Sequence, residues 1–331
     1  MNNRRRLLIA LGAGALTAPL NSLAQQQVKI HRIGFLGATS LSGYQRYVDA
    51  LRAGLLDLGY VDGKNIVFEL RWADGKYDRL PELAAELVRL NVDVLVTHGT
   101  PGTRAAKQAT TTIPIVMATS GDVLATGVVT SLARRNGNIT GNTFFSPEIN
   151  AKKLQMLKEI VPQSKRVAVL LNPDNPMFNG QTGPAIQAVQ TAARSLKVGL
   201  ELFEARARKE LDEVFSAIVS KRSDAVLVVD DALFTANVNG IAILAATHRL
   251  PVIGMMELAN AGGLVGFGVN FLEQFRHAAY FVDRILKGAK PGDVPIEQPI
   301  KLELAINMAT AKALGIKIPD VLLLRADKVI E

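Results

Sequence analysis

The sequence predicts an α/β protein built as two similar, doubly wound parallel-sheet lobes joined by a three-segment hinge. Three observations lead there. Strand and helix patterns alternate along the chain, which favours parallel sheets covered by helices on both faces. The order of the first half, with apolar strands at 32–36, 92–96 and 113–118, recurs about 135 residues later at 166–171, 225–230 and 250–255. At 331 residues the chain also exceeds what one hydrophobic core ordinarily serves and suits two domains of roughly 150. Two copies of one βαβ unit imply two lobes, and two lobes imply a cleft.

In the first lobe Ile33–Leu36 reads as a short buried strand, followed by Tyr47, Leu51, Leu55 and Leu58 at helical spacing, with Gly59 as the stop. Ile66–Arg71 alternates as a strand, and Leu80–Leu90 is an amphipathic helix with Pro81 in its first turn. Val92–Val96, a helix from Gly102 to Thr110, and Ile113–Ala118 complete this copy. The second lobe opens near Pro147 with a helix at Ala151–Ile160 and the strand Arg166–Leu171. Helices follow at Pro184–Leu196, Lys209–Lys221 and Gly240–His248, with the buried strands Val226–Val229 and Leu250–Met255 among them. Leu272–Leu286 is a long amphipathic helix stopped by Gly288 and Pro291; Ile300–Ile306 reads as a strand and Asn307–Leu314 as a short helix. Crossings near Gly141–Pro147, Gly268–Leu272 and Pro295–Pro299 divide the chain into one lobe of 28–143 plus 272–295 and another of 146–270 plus 298–331.

The first residues carry an address. Arg4, Arg5 and Arg6 precede an apolar run at Leu7–Ala18, and Ser22-Leu23-Ala24 places small residues where a signal peptidase reads them. This predicts a secretory signal over 1–24, of the Sec or twin-arginine type, cleaved after Ala24. The run falls short of the roughly 20 residues that a membrane span needs. Without the three arginines the net charge drops from +8 to about +5. The remaining basic residues, among them Lys152, Lys153, Lys158, Arg206, Arg208 and Lys209, are dispersed over helices and read as solvated surface. Aromatic residues make up only 5% of the chain, so the basic stripe and stacking rings of a nucleic-acid binder are missing. The absence of cysteine removes disulfides, thiolate metal sites and a cysteine nucleophile together.

Ligands of parallel α/β sheets bind beyond the carboxyl ends of strands, near helix N-termini. That rule selects Gly37–Tyr44, whose Ser40, Ser42 and Tyr44 suit a small polar ligand with an apolar part or a capped turn. It also selects Thr97–Thr103, where two glycines and three threonines open a helix whose free N–H groups attract an anion. This is neither a Walker loop nor a dinucleotide fingerprint, because the GKS/T ending and the glycine spacing are absent. Thr100→Ala and Gly102→Pro are expected to weaken anion binding without disturbing the unliganded fold.

Ser120-Gly121-Asp122 closes the third strand, and with Ser40 and His98 it raises the alternative of an exported hydrolase using Ser40, His98 and Asp122. No Gly-x-Ser-x-Gly elbow supports that triad. In the second lobe Asn172-Pro173-Asp174-Asn175-Pro176 ends one strand and Asp230-Asp231 another. These carboxylates could form an acid/base pair or a metal site, bind a ligand ammonium, or cap the next helix. Phe234, Met255 and Phe267 read as core, and the four histidines lack metal-ligand spacing. No metal and no cofactor are expected.

An ordered set of segments runs through the chain: Arg-Ile-Gly-Phe-Leu at 32–36, Leu-Gly-Tyr-Val-Asp-Gly-Lys-Asn-Ile at 58–66, Ile-Pro-Ile-Val at 113–116, Gly-Asn-Ile-Thr-Gly at 137–141, Asn-Pro-Asp-Asn-Pro at 172–176, the stretch 306–319 and Arg-Ala-Asp-Lys-Val-Ile-Glu at 325–331. Together they resemble the ABC transporter substrate-binding protein family that includes tryptophan- and tyrosine-binding relatives. The resemblance implies a monomeric, non-catalytic periplasmic protein of the type I periplasmic binding fold, handing a small-molecule ligand to an ABC permease in the inner membrane. It points to Ser40, Tyr44, Thr100, Asp122, Asn172, Asn175, Asp231 and Asn270 as cleft residues. Aromatic-amino-acid binders of the family carry Gln-x-x-x-His-Pro after their first strand, whereas this chain has Thr39–Tyr44, so the ligand's identity does not transfer. A ligand-sensing partner of a membrane signalling protein is a third reading of the same sequence. In the first reading, lobe one offers hydroxyls and a helix N-terminus to an anionic group, and lobe two offers Asp231 and asparagines to an amine or hydroxyl.

Overall fold

Thirteen strands carry the architecture of the computed structural model, which describes residues 29–133, 137–179, 182–298 and 301–331. The leader expected at 1–24 and the strand start expected at Ile300 lie outside the described residues. The first half contributes β1 (His31–Gly37), β2 (Ile66–Trp72), β3 (Val94–His98), β4 (Ile115–Thr119) and β5 (Ile139–Asn142). The second contributes β6 (Arg166–Leu171), β7 (Gly199–Glu204), β8 (Ala225–Val228), β9 (Val252–Gly254) and β10 (Val265–Gly268). Three strands follow: β11 (Ile296–Glu297), β12 (Glu303–Asn307) and β13 (Lys328–Ile330).

Two sheets result, in the orders β11-β5-β4-β3-β1-β2 and β13-β12-β10-β9-β8-β6-β7. The run β5-β4-β3-β1-β2 has the same order as β10-β9-β8-β6-β7, so the repeat in the sequence is a repeat in topology. The first sheet is wholly parallel, whereas β12 joins β10 antiparallel and makes the second sheet mixed. Val, Ile and Leu fill β3, β4, β6 and β8, which are buried almost throughout because helices cover both faces.

The chain passes between the two bodies three times. It leaves β5 of the first sheet for helix Ser146–Ile160, which packs on the second. It returns between β10 and helix Phe271–Leu286, which lies against helix Leu41–Asp57 and β4. It crosses again between β11 and β12.

Some elements differ from the sequence reading. The helix expected at Gly102 begins at Gly99, where a left-handed φ of 71° that glycine tolerates turns the chain directly out of β3. Gly102 therefore lies within the first turn, and a Cβ there would stand 2.4 Å from Thr97 Oγ1. Gly102→Pro would thus disturb the fold itself, contrary to the expectation for that substitution. The second lobe's opening helix starts at Ser146, five residues before the expected Ala151, because Pro147 sits in its first turn. β7 carries no strong apolar alternation, being half-exposed along its length, and only the repeat would have revealed it as the second lobe's counterpart of β2.

Candidate functional site

The strand ends of both sheets meet at a cavity of about 40 Å³ between the lobes. Tyr44, His98, Thr100 and Thr119 wall it from the first lobe, and Asn175, Met177, Asp230, Asp231 and Thr235 from the second. Phe144 and Phe271, at two of the crossings, close its sides with Phe275. Ligand pockets usually hold roughly 300–1,000 Å³. A molecule larger than a few waters can therefore be admitted only by parting the lobes or moving side chains.

The first lobe's wall starts at the register shift between Thr97 and His98, where β3 and β4 slip against one another. Such shifts re-aim side chains beside functional sites. His98 lies under the Tyr44 ring at 4.2 Å, and its Nε2 accepts the Ala38 N–H at 3.2 Å. Burial pushes His98 down to about 3, so the ring is neutral with its proton on Nδ1. Thr100 is buried in the first turn of helix Gly99–Ala109, whose leading N–H groups lack intrahelical partners. Pro101 in that turn removes one of these donors.

The second lobe's wall is carboxylate-rich. Asp231 caps helix Ala232–Ala236 by accepting the Leu233 N–H at 2.8 Å. Its Oδ1 also accepts Asn172 Nδ2 at 3.3 Å, and its Oδ2 accepts Asn175 Nδ2 at 2.8 Å. Across the cleft the Tyr77 hydroxyl donates to Oδ1 at 2.8 Å. Burial raises the Asp231 carboxyl above the usual carboxylate range, opposed by these same hydrogen bonds. Asp230, one residue earlier, takes Lys153 Nζ at 2.6 Å on Oδ1. Lys153 is completely buried, which pushes its ammonium down while Asp230 pulls it back up. The surface role expected for Lys153 is thus corrected: its helix faces β8 and carries the lysine into the core.

A second bridge spans the lobes. The Tyr47 hydroxyl donates to Glu257 Oε1 at 3.1 Å, and Arg46 donates to the Tyr47 oxygen at 2.7 Å. Desolvation, followed by nearby carboxylates, raises Tyr44, Tyr47 and Tyr77 above the ordinary phenol value. All three keep their protons, so Tyr47 and Tyr77 can donate.

Of the residues selected from the sequence, Tyr44, Thr100, Asn175 and Asp231 line the cavity, and Asn172 stands behind Asp231. Ser40, Asp122 and Asn270 do not line it. Ser40 caps helix Leu41–Asp57 through the Gly43 N–H, Asp122 accepts the Leu124 and Ala125 N–H groups, and Asn270 caps helix Phe271–Leu286. The Ser40–His98–Asp122 triad is not assembled: Ser40 Oγ is engaged by Gly43 N and Ser42, and His98 Nε2 by Ala38 N. Phe234, Met255 and Phe267 are buried in the core, as expected. Among the described residues no group of three or more His, Cys, Asp or Glu side chains could hold a metal ion. Likewise none of the described helices is long and apolar enough to cross a membrane.

Sequence reasoning missed Tyr77, Lys153 and Glu257. Tyr77 sits in a single 3₁₀ turn without periodicity, and the other two lie on helices whose burial only the packing reveals.

Two lobes of parallel strands, with polar groups from both converging on one cleft, define a solute-binding protein. The chain belongs to the ABC transporter substrate binding protein family, whose model matches residues 33–330. It is the solute-binding component of such a transporter, and the sequence-level resemblance and the expected fold class hold. The tyrosine-binding protein of Clostridioides difficile is 27% identical over 267 residues, 80% of this chain and 74% of that one. A crystal structure of a conserved domain protein from Vibrio cholerae is 26% identical, with a TM-score of 0.80 over 91% of this chain and all of that one. A domain from Streptococcus pneumonia solved in complex with L-Trp also gives 0.80 over the same shares, at 22% identity.

Proposed function

We propose that this chain is exported to the periplasm, closes as a monomer over one small amino-acid-like ligand, and delivers it to an ABC permease in the inner membrane. One observation carries the reading: hydrogen bonds from Tyr77 to Asp231 and from Tyr47 to Glu257 span the lobes, and a cavity lies between the lobes with walls from both. Neither bond survives parting of the lobes, so closure and enclosure of the cavity are one event. The moving bodies are 28–143 plus 272–295 and 146–270 plus 298–331.

The chemistry of the walls supports an amphipathic ligand. Thr100 and the N–H groups at the start of helix Gly99–Ala109 offer a carboxylate hydrogen bonds and a dipole contribution of about 0.3–2 kcal/mol. Phe144, Phe271, Phe275 and Met177 offer an apolar part a place, and the carboxylates of the second lobe face an amine. Tyr44, Thr100 and Asn175 are the contacts of choice among the residues selected from sequence. The names of the relatives, one tyrosine-binding and one holding L-Trp, agree with this class.

A thermal-shift and calorimetric screen of amino acids, aromatic acids and sugars tests the reading. A ligand at one hundred times its dissociation constant adds about 2.7 kcal/mol to stability. At roughly 2–4 °C per kcal/mol that is a rise of about 5–11 °C in Tm. Sugars alone raising Tm, or no response to any amino acid, would overturn the amino-acid class.

A further inference from the structure

His98 has one ring nitrogen in use and one free. Three aromatic rings pack around its imidazole, with centroids at 4.2 Å for Tyr44, 5.8 Å for Phe275 and 6.0 Å for Phe35. Nε2 accepts the Ala38 N–H, so the proton sits on Nδ1 and the ring stays uncharged while that bond stands. Among the described residues Nδ1–H finds no acceptor, because the Ala38 bond is the one side-chain hydrogen bond His98 makes.

That nitrogen is not sealed off either. The buried side-chain atoms that lack both a partner and contact with solvent lie elsewhere, on Asp230, Glu257 and Gln274 among others, and His98 Nδ1 is not one of them. The residue is 1% exposed and lines the interlobe cavity, so the surface left to Nδ1 opens into that cavity. The register shift between Thr97 and His98 is what turns the ring there.

Thr100 shares this position. It lies two residues on, across the left-handed turn at Gly99, and its Oγ1 is likewise without a partner and not sealed off. Both residues stand at the start of helix Gly99–Ala109, whose leading N–H groups lack intrahelical partners. In the second lobe, by contrast, Asn175 Nδ2 already donates to the Asp231 carboxylate and Thr235 Oγ1 to the Asp231 carbonyl. A buried donor without an acceptor is rare in a native protein. The Ala38 N–H accounts for Nε2 alone, and packing against Tyr44 needs only an apolar ring.

Resting on the reading of the cleft as the ligand site, we propose that His98 contacts the ligand directly, its Nδ1–H donating to an oxygen of the ligand's carboxylate beside the Thr100 hydroxyl. The imidazole acts as a neutral donor of fixed tautomer, and Ala38 sets that tautomer. An acceptor is therefore selected at this place, and an ammonium or an amide N–H is rejected, which decides which end of an amino acid enters the first lobe.

Calorimetry and nitrogen NMR on the purified protein test this with the standard amino acids as probes. Comparison with a His98 variant picks its resonance out from the four histidines. Saturation with an amino acid that binds should move the Nδ1–H proton downfield and slow its exchange with water. The amide of glutamine reaches the place of Nε2, and that of asparagine the place of Nδ1. His98→Gln thus keeps an acceptor for Ala38 and loses the donor to the ligand. It should bind that amino acid about 10- to 150-fold more weakly, the range of a hydrogen bond to a charged group. His98→Asn should bind more tightly than His98→Gln, with circular dichroism as the check on folding of both. An Nδ1–H resonance unmoved by a bound amino acid overturns the assignment while the cleft reading stands, and this measurement needs no variant to fold. Native affinity in folded His98→Gln, or the reverse order of the two variants, does the same. No binding of any standard amino acid by the native protein overturns the amino-acid class and the assignment together.

Discussion

Gly43 lies where the lobes touch. It occupies the first turn of helix Leu41–Asp57, and a Cβ built on it would stand 2.7 Å from the Cβ of Ala236 in the other lobe. Methyl groups pack at roughly 3.5–4.0 Å, so even Gly43→Ala forces the lobes apart by about 1 Å at that point. The bridges at 2.8 Å from Tyr77 to Asp231 and 3.1 Å from Tyr47 to Glu257 then stretch toward or past hydrogen-bonding range. Each contributes about 0.5–1.5 kcal/mol, so the closed form loses about 1–3 kcal/mol. A ligand that binds only the closed form loses the same amount, which is about 5- to 150-fold in affinity. The separated lobes are not harmed, because alanine is the better helix former by about 1 kcal/mol. Gly43→Ala and the larger Gly43→Val should therefore bind weakly in calorimetry while their ligand-free melting temperatures stay within about 4 °C of native. Native affinity in Gly43→Val would refute the reasoning that closure across Gly43 and Ala236 is part of binding.

Three further outcomes follow from the buried ionisable groups. Lys153→Ala leaves Asp230 as an uncompensated buried carboxylate; a loss of about 3–5 kcal/mol, or roughly 6–20 °C in Tm, is expected, and a loss under about 1 kcal/mol in denaturant titration would contradict the burial of the pair. Burial raises the Glu257 carboxyl, so the folded state keeps that proton to higher pH than the unfolded chain. Its contribution to stability is present below the ordinary carboxylate value and lost as pH rises through the raised one, so Glu257→Gln should gain on native in Tm from pH 4 to pH 7.5; a gap moving the other way would be wrong for this sign. His98, held down to about 3, should show one neutral tautomer with its proton on Nδ1 by nitrogen NMR between pH 5 and 8, and titration near 6.5 would disprove its burial.

The two-lobed fold was legible because the repeat writes it twice. Buried parallel strands are continuous apolar runs, and β1, β3, β6 and β8 stand out as such. β7 does not, since it is half-exposed along its length. The site was legible where position alone decides. Thr100, Asn175 and Asp231 follow strand ends, and the rule of carboxyl-end binding finds them. Ser40 and Asn270 satisfy the same rule, yet they cap their helices, because a short polar side chain before a helix serves both purposes and sequence cannot say which. Lys153 was hidden for a different reason. One face of an amphipathic helix is expected to bury apolar residues, and only the arrival of Asp230 from a strand 77 positions away makes a buried lysine stable there.

The central claim is that ligand and closure are coupled. Because the sequence contains no cysteine, a pair of introduced cysteines can be labelled without interference. Gln108 of the first lobe and Lys209 of the second are both exposed and line one open groove between the lobes. Spin labels on Gln108→Cys/Lys209→Cys should give a distance distribution that shortens and narrows when the amino acid found by calorimetry is added. The same titration midpoint should appear in both measurements. A distribution unchanged at saturating ligand would contradict the account and confine binding to a single lobe.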